Sequence, residues 1–165
     1  MDGFYCNSCG QYHDHLPMSY GVLAPIYWSN EYTNDENSEL GQDICVIKGE
    51  HFFVKGNVEI PIRDSDGTFA YTVWVSLSPA NFNRIIQMWN DPQRVEEKPY
   101  FGWFSCRLMG YPDTLNLKAH VHNRELGVVP FIELEPTDHP LAIEQREGIT
   151  MERVKDIAQL YLHPE

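Results

Sequence analysis

Apolar and polar positions alternate most regularly in the middle of the chain. Residues 69–77 place Phe, Tyr, Val, Val and Leu at every second position, with Ala, Thr, Trp and Ser between them. A period of two is that of a β-strand with one buried face. Residues 52–62 have a similar period, and the Asp64-Ser65-Asp66-Gly67 stretch that follows them has turn composition. The pattern therefore predicts a central hairpin.

Three segments have signals typical of helices. Ser78 can cap a helix that starts at Pro79, and apolar residues then recur at i, i+3, i+4 and i+7. Near the C-terminus the sequence predicts a helix over residues 140–147 and another that starts at Thr150. We expect the first helix to lie against the sheet and the other two to close the chain.

Four further runs favour strands, which sets the expected fold class. They are residues 43–47, 100–108, 115–121 and 128–134. Together with the hairpin they predict an α+β fold, an antiparallel sheet with one helix after the central hairpin and two C-terminal helices. The length of 165 residues favours a single domain, residues 1–165. Within it, we expect a cysteine-bearing element, residues 1–20, to pack on an α+β body, residues 43–165.

The charge of the chain is strongly negative and unevenly distributed. There are 12 Lys and Arg against 24 Asp and Glu, a formal net charge of −12, which argues against a nucleic-acid partner. Residues 1–47 contain acids but no Lys or Arg, and residues 131–165 are also rich in acids. If these regions lie close together, they form an acidic face that attracts a basic protein. The alternative is a solvated surface that keeps the protein in solution.

Four residues are candidates for contact with such a partner. Asp35, Glu36 and Glu39 lie in a polar, acidic loop, residues 30–42. Trp74 points away from the apolar face of its strand, so either both faces of the strand are covered or Trp74 marks an exposed binding surface.

The chain has no pattern for a membrane segment or a secretory leader. No window approaches the roughly 18 apolar residues that a membrane helix needs, and the first ten residues lack a basic and an apolar region. We therefore expect a cytoplasmic protein with no membrane partner. In that compartment the four cysteines are expected to be reduced rather than paired in disulfides.

The Cys6-Asn7-Ser8-Cys9-Gly10 motif indicates a metal site. Two thiolates separated by two residues can bind one tetrahedral ion from a tight turn, and the glycine lets the backbone turn beneath them. Candidates for the other ligands are His13, His15, Cys45 and Cys106. We predict a structural zinc site formed by Cys6, Cys9, His13 and Cys45. A redox dithiol has the same spacing, but it usually accompanies a βαβ pattern that this chain lacks, and plain thiols are a further alternative.

A second group of candidate ligands lies at His120 and His122. Residues two apart on a strand share a face, so both imidazoles can approach one ligand, with Glu133 or Asp138 as a possible carboxylate. Histidines are also common on the polar face of an antiparallel strand. The sequence contains no GxSxG elbow and no GxxxxGK[ST] or GxGxxG phosphate loop.

An ordered series of short motifs covers nearly the whole chain. It comprises Cys6-x-x-Cys9-Gly10-x-x-His13, Leu16-Pro17, Ala24-Pro25, Asp43-x-Cys45, Val58-Glu59-Ile60-Pro61-Ile62, Trp74-Val75-Ser76-Leu77-Ser78, Gly102-Trp103, Tyr111-Pro112, Leu134-Glu135-x-x-x-His139-Pro140-Leu141-Ala142 and Gly148-Ile149-Thr150. This series resembles an uncharacterised bacterial family, domain of unknown function 2199. The resemblance implies a single bacterial domain and the grouping of Cys6, Cys9, His13 and Cys45. It does not call for a cysteine at position 106 and implies no activity.

Two hypotheses of function follow. The first is a non-catalytic, zinc-stabilised protein that binds a basic macromolecule through its acidic regions; a concrete version is an immunity protein that inhibits a basic toxin. The second is a small metal-dependent hydrolase that uses His120, His122 and a carboxylate.

Overall fold

A computed structural model describes residues 3–163 of the chain. Its strands are β1 Phe4–Tyr5, β2 Tyr12–His13, β3 Ser19–Gly21, β4 Glu39–Leu40, β5 Ile44–Ile47, β6 His51–Pro61, β7 Thr68–Leu77, β8 Tyr100–Phe104, β9 Lys118–His122 and β10 Phe131–Leu134. Its helices are α1 Pro79–Gln87, α2 Pro140–Glu147 and α3 Met151–Leu162, and short 3₁₀ helices lie at Asn30–Asn34 and Pro92–Glu96. No helix within residues 3–163 is both long enough and apolar enough to cross a bilayer.

Five strands close into a barrel in the order β6, β7, β8, β9, β10 and back to β6. Each successive pair along this meander is antiparallel. Because the number of strands is odd, the first and the last run in the same direction where they meet. β10 accordingly pairs with β6 in parallel, with Phe131 opposite Asn57.

The closed sheet confirms the α+β class and its three helices but corrects the simple antiparallel sheet expected from the sequence. Alternation along a strand records which face is buried, and it carries no information on whether the outermost strands meet. Among the named strands of residues 3–163, β10 pairs with β6 and β3 pairs with β7 in parallel. Both join segments that are distant in the sequence.

The junction between β6 and β10 depends on a glycine. The backbone N–H of Asn57 donates to the carbonyl oxygen of Pro130 at 2.9 Å. A Cβ added at the neighbouring Gly56 would lie 2.6 Å from Ile132 Cδ1 and 2.8 Å from the same carbonyl oxygen. Only a residue without a side chain permits β10 to approach this closely.

The inside of the barrel and the elements that cover it share one hydrophobic core. The buried residues of β7 on this face are Phe69, Tyr71, Val73, Val75 and Leu77. Val154, Ile157 and Ala158 of α3 belong to the same cluster, and so do Phe4, Cys6 and Leu16 of the N-terminal segment. The first and the last elements of the fold are therefore packed against the same buried surface.

A partly buried polar network connects α2 and α3 to the barrel. The Tyr111 hydroxyl donates to Glu144 Oε1 at 2.7 Å and lies 3.0 Å from the Tyr71 hydroxyl. Arg153 Nε donates to the other oxygen of Glu144 at 2.7 Å. Burial raises the pKa of both tyrosines, so the hydroxyls stay protonated and act as hydrogen-bond donors.

A second, smaller core lies on the outer face of the sheet. It consists of Cys45, Ile47, Phe53 and Trp74, and the segment that follows β3 covers it. Trp74 is 1% exposed, and its Nε1 donates to the Val22 carbonyl oxygen at 2.9 Å. Both faces of β7 are thus covered. This placement corrects the assignment of Trp74 to a partner-binding surface.

Replacing Gly56 with alanine should weaken the closure of the barrel. The added Cβ overlaps Ile132 and the Pro130 carbonyl, and overpacking of this kind typically costs about 1–3 kcal/mol. We expect the free energy of unfolding, measured with urea, to fall by about 2 kcal/mol. Gly21→Ala is the matched control, because its Cβ would meet only Thr72 at an ordinary 3.7 Å. Equal stability losses in the two variants would contradict the importance of this junction.

Candidate metal centre

A small N-terminal hairpin places three of the predicted ligands together. β1 and β2 pair antiparallel, with Phe4 opposite His13. In the turn between them the Gly10 N–H donates to the Cys6 carbonyl oxygen at 2.8 Å, and Gly10 has a φ of 73°. This left-handed conformation suits glycine. The tight turn brings Cys6 and Cys9 to the same side as His13.

His163 supplies the fourth side chain of the cluster. One ligand atom each of Cys6, Cys9, His13 and His163 lies within 4.8 Å of the others. Cys9 Sγ and His13 Nε2 are 3.4 Å apart. A tetrahedral ion with bonds of about 2.0–2.3 Å separates its ligand atoms by roughly 3.3–3.8 Å. The four side chains can therefore bind one metal ion after small adjustments.

The surroundings of His163 also fit a metal ligand. Its Nε2 is buried and has no hydrogen-bond partner among the described residues. A buried polar atom without a partner is costly, so such atoms are normally satisfied by protein, water or an ion. Its ring lies 6.1 Å from that of His13 between centroids. An ion bound to both imidazoles would satisfy the unpaired nitrogen.

Backbone amides favour the ionised form of the Cys6 thiol. Burial alone would raise the pKa of this thiol, but hydrogen bonds from the backbone and the side chains of Cys9 and Ser8 together lower the pKa below its usual value. The thiolate is the form that binds a metal. The turn therefore both positions the sulfur of Cys6 and favours its reactive charge state.

Cys45 does not join the cluster, which corrects the predicted ligand set. The residue lies on β5 in the second core beside Trp74 and is 0% exposed. Burial raises the pKa of the Cys45 thiol to about 11, with a smaller contribution from Glu39. Burial also raises the pKa of the Cys106 thiol to about 11. Both are neutral thiols within apolar packing, and His163 takes the fourth position that was predicted for Cys45.

Sequence reasoning missed His163 because no local pattern connects it to the Cys-x-x-Cys motif. His163 follows α3, whose buried residues are Val154, Ile157 and Ala158. That buried face packs on the core that the N-terminal segment also contacts. Only the docking of these two distant elements on one core brings His163 to His13.

The structure does not gather His120 and His122 into a metal site. Each imidazole pairs with a different carboxylate, His120 Nε2 with Glu135 Oε2 at 3.0 Å and His122 Nε2 with Glu133 Oε1 at 2.9 Å. Both pairs are partly exposed on β9 and β10. Within residues 3–163, the Cys6 cluster is the one group of three or more candidate ligands. His120 and His122 therefore do not form the metal centre that the hydrolase hypothesis requires.

The acidic candidates lie on a segment fixed to the β5–β6 turn. Glu36 and Glu39 are exposed, and Asp35 is half-buried and accepts a hydrogen bond from Ser38. The Gly49 N–H donates to the Asn37 carbonyl at 2.7 Å, and the Lys48 N–H donates to Ser38 Oγ at 2.8 Å. These bonds hold the backbone that carries the acidic residues against the β5–β6 turn.

A family model described as "Uncharacterized protein conserved in bacteria (DUF2199)" matches residues 5–149. The chain belongs to this family. The match confirms the resemblance expected from the ordered motifs. It includes Cys6, Cys9 and His13 and ends before His163. No curated protein and no solved structure matches the chain.

The cysteines should differ sharply in reactivity once metal is removed. In protein treated with a chelator at about pH 8, we expect Ellman's reagent to modify Cys9 first, because Cys9 is the exposed cysteine. Cys45 and Cys106 should react only on unfolding, since both are buried and have a pKa of about 11. Cys9→Ser should remove the fast phase and Cys106→Ala should retain it. Rapid labelling of Cys45 in folded protein would contradict this arrangement.

Proposed function

We propose that the protein is a zinc-stabilised, non-catalytic binding module that takes a basic protein partner on its acidic surface. The proposal of a zinc site is supported by the convergence of Cys6, Cys9, His13 and His163. The proposal of a basic partner is supported by the acidic segment that is held next to the β5–β6 turn.

The donor set favours zinc in a structural role. Two sulfurs and two imidazole nitrogens form a common tetrahedral zinc environment. Two thiolates balance the charge of Zn²⁺, and the neutral imidazoles contribute no charge, so the site is neutral overall. With four protein ligands the ion has no open position for a substrate or a reactive water, which is typical of structural rather than catalytic sites.

A zinc ion at this position would connect the N-terminal hairpin to the end of α3. His13 and His163 are far apart in the sequence, so the ion closes a long loop. Loop closure restricts the unfolded chain, and the free energy of metal binding becomes part of the free energy of folding. The ion then stabilises the packing of the first and last elements on the shared core.

Metal analysis of purified protein tests the site. We expect one zinc per chain by mass spectrometry, and we expect Cys9→Ser and His163→Ala each to weaken binding because a closed site needs all four ligands. His15→Ala is the matched control, since His15 is exposed near the hairpin but is not in the cluster. Cys45→Ala should keep the zinc. Loss of zinc in Cys45→Ala with retention in His163→Ala would contradict the ligand set.

The charge distribution supports a basic partner. Exposed Glu31, Glu36 and Glu39 lie in or next to the segment that contacts the β5–β6 turn. Residues 1–47 contain no Lys or Arg, and Lys48 is a base that contacts this segment. An acidic surface is complementary in charge to a basic protein. This complementarity accelerates association and repels acidic competitors. A bacterial immunity protein that inhibits a basic toxin is the version of this function that we favour.

Charge reversal tests the partner. In a low-salt pull-down from a lysate of the native organism, the protein should capture a basic protein, and the triple variant Glu31→Lys, Glu36→Lys, Glu39→Lys should lose at least about tenfold in affinity for it. The matched control reverses three exposed acids elsewhere, Glu96, Glu125 and Glu147. Capture should weaken as salt increases. No basic protein in the captured fraction, or equal losses in the two triple variants, would overturn the proposal.

A further inference from the structure

An aromatic groove opens beside the acidic segment. Its volume is about 500 Å³, and its walls include Tyr27, Tyr32, Ile47, Phe52, Phe53 and Leu77. We call this feature the anchor groove. Its walls contain none of the four residues of the metal centre, and two wall residues, Phe52 and Leu77, also pack in the main core.

The anchor groove forms where the N-terminal segment incompletely covers the second core. Phe53 is buried in that core, and the Tyr27 ring stacks on it with 6.0 Å between centroids. Tyr27 itself is 46% exposed. A half-exposed aromatic side chain over a buried one leaves apolar surface that a further side chain can cover.

Exposed apolar residues extend this surface along the chain. Leu23 is 93% exposed and Ile26 is 41% exposed, and both lie just before Tyr27. Clustered exposed apolar residues with a polar border mark interaction surfaces more often than isolated ones do. Tyr27 belongs both to this exposed stretch and to the wall of the anchor groove.

Two acidic residues lie at the border of the anchor groove. Glu50 lines it, and Glu31 is adjacent to Tyr32 in the 3₁₀ helix. Two bases are also present: His51 lines the groove, and Lys48 Nζ lies 5.7 Å from the centroid of the Tyr32 ring. This cation–π contact places a cation against a wall of the groove. An incoming Lys or Arg can occupy a similar environment near Glu31 and Glu50.

We propose that the anchor groove binds an apolar or aromatic side chain from a basic segment of the partner protein. Lys or Arg residues of that segment would face Glu31 and Glu50. An apolar anchor surrounded by charge-complementary contacts is the usual composition of a binding hot spot and its rim. The inference rests on the proposed function and identifies which part of the acidic surface carries specificity.

Three synthetic peptides of equal length serve as probes for the full zinc-loaded protein. The first is rich in Lys and Arg and contains one Trp and one Leu. The second has Ala at both apolar positions, and the third keeps Trp and Leu but has Glu in place of the bases. Fluorescence anisotropy gives the affinities, and amide chemical shifts locate the contact. We expect the first peptide to bind about tenfold more tightly than the second and to shift residues around Phe52.

Variants separate this inference from the proposed function. Tyr27→Ala should remove the advantage of the first peptide over the second, whereas Leu126→Ala should keep it, because Leu126 has a similar exposure of 45% and does not line the groove. Circular dichroism and zinc content show whether each variant remains folded.

The remaining outcomes overturn the inference in different ways. If the two basic peptides bind equally and charge reversal at Glu31, Glu36 and Glu39 weakens both, the anchor groove is not used and the acidic binding function stands. If the acidic peptide binds as well as the first, the groove does not select a basic segment. If no peptide binds, the inference fails, and capture of a basic protein still tests the proposed function on its own.

Discussion

The parallel pairing of β10 with β6 is the constraint on which the rest of the structure depends. Without it the sheet would be open, with β10 as a free edge and a half-covered apolar face. Closure at Gly56 and Asn57 instead gives an enclosed core. The last helix and the N-terminal segment both complete that core, so their mutual position follows from the closure of the barrel.

The candidate metal centre is a consequence of this shared packing. The hairpin supplies Cys6, Cys9 and His13 through its own turn geometry, but the fourth position depends on where α3 ends. A metal ion there would strengthen an arrangement that apolar burial already favours. It would add a bond between elements that otherwise make few direct polar contacts, which suits a structural role better than a catalytic one.

Sequence reasoning succeeded where the determining interactions are local. The Pro140–Glu147 helix has the predicted bounds because Pro at its first position and Gly148 after its end act within a few residues. The Cys-x-x-Cys turn with His13 is local as well. The barrel closure, the burial of Trp74 and the role of His163 all depend on contacts between distant segments, and periodicity has no information on these. Cys45 was plausible as a ligand only because its packing beside Trp74 was unknown.

The two hydrophobic cores are packed separately, so the outer core can unfold locally without the barrel. Trp74 reports on the outer core alone, because its indole is enclosed by Cys45, Ile47 and Phe53 and not by the barrel interior. Regions with separate packing can unfold locally at different free-energy costs. Lifting the segment that follows β3 would expose this indole to water and shift its emission to the red while the barrel stays intact. Among the four tryptophans of the chain, Trp74 thus contributes an emission component that senses the surface next to the anchor groove.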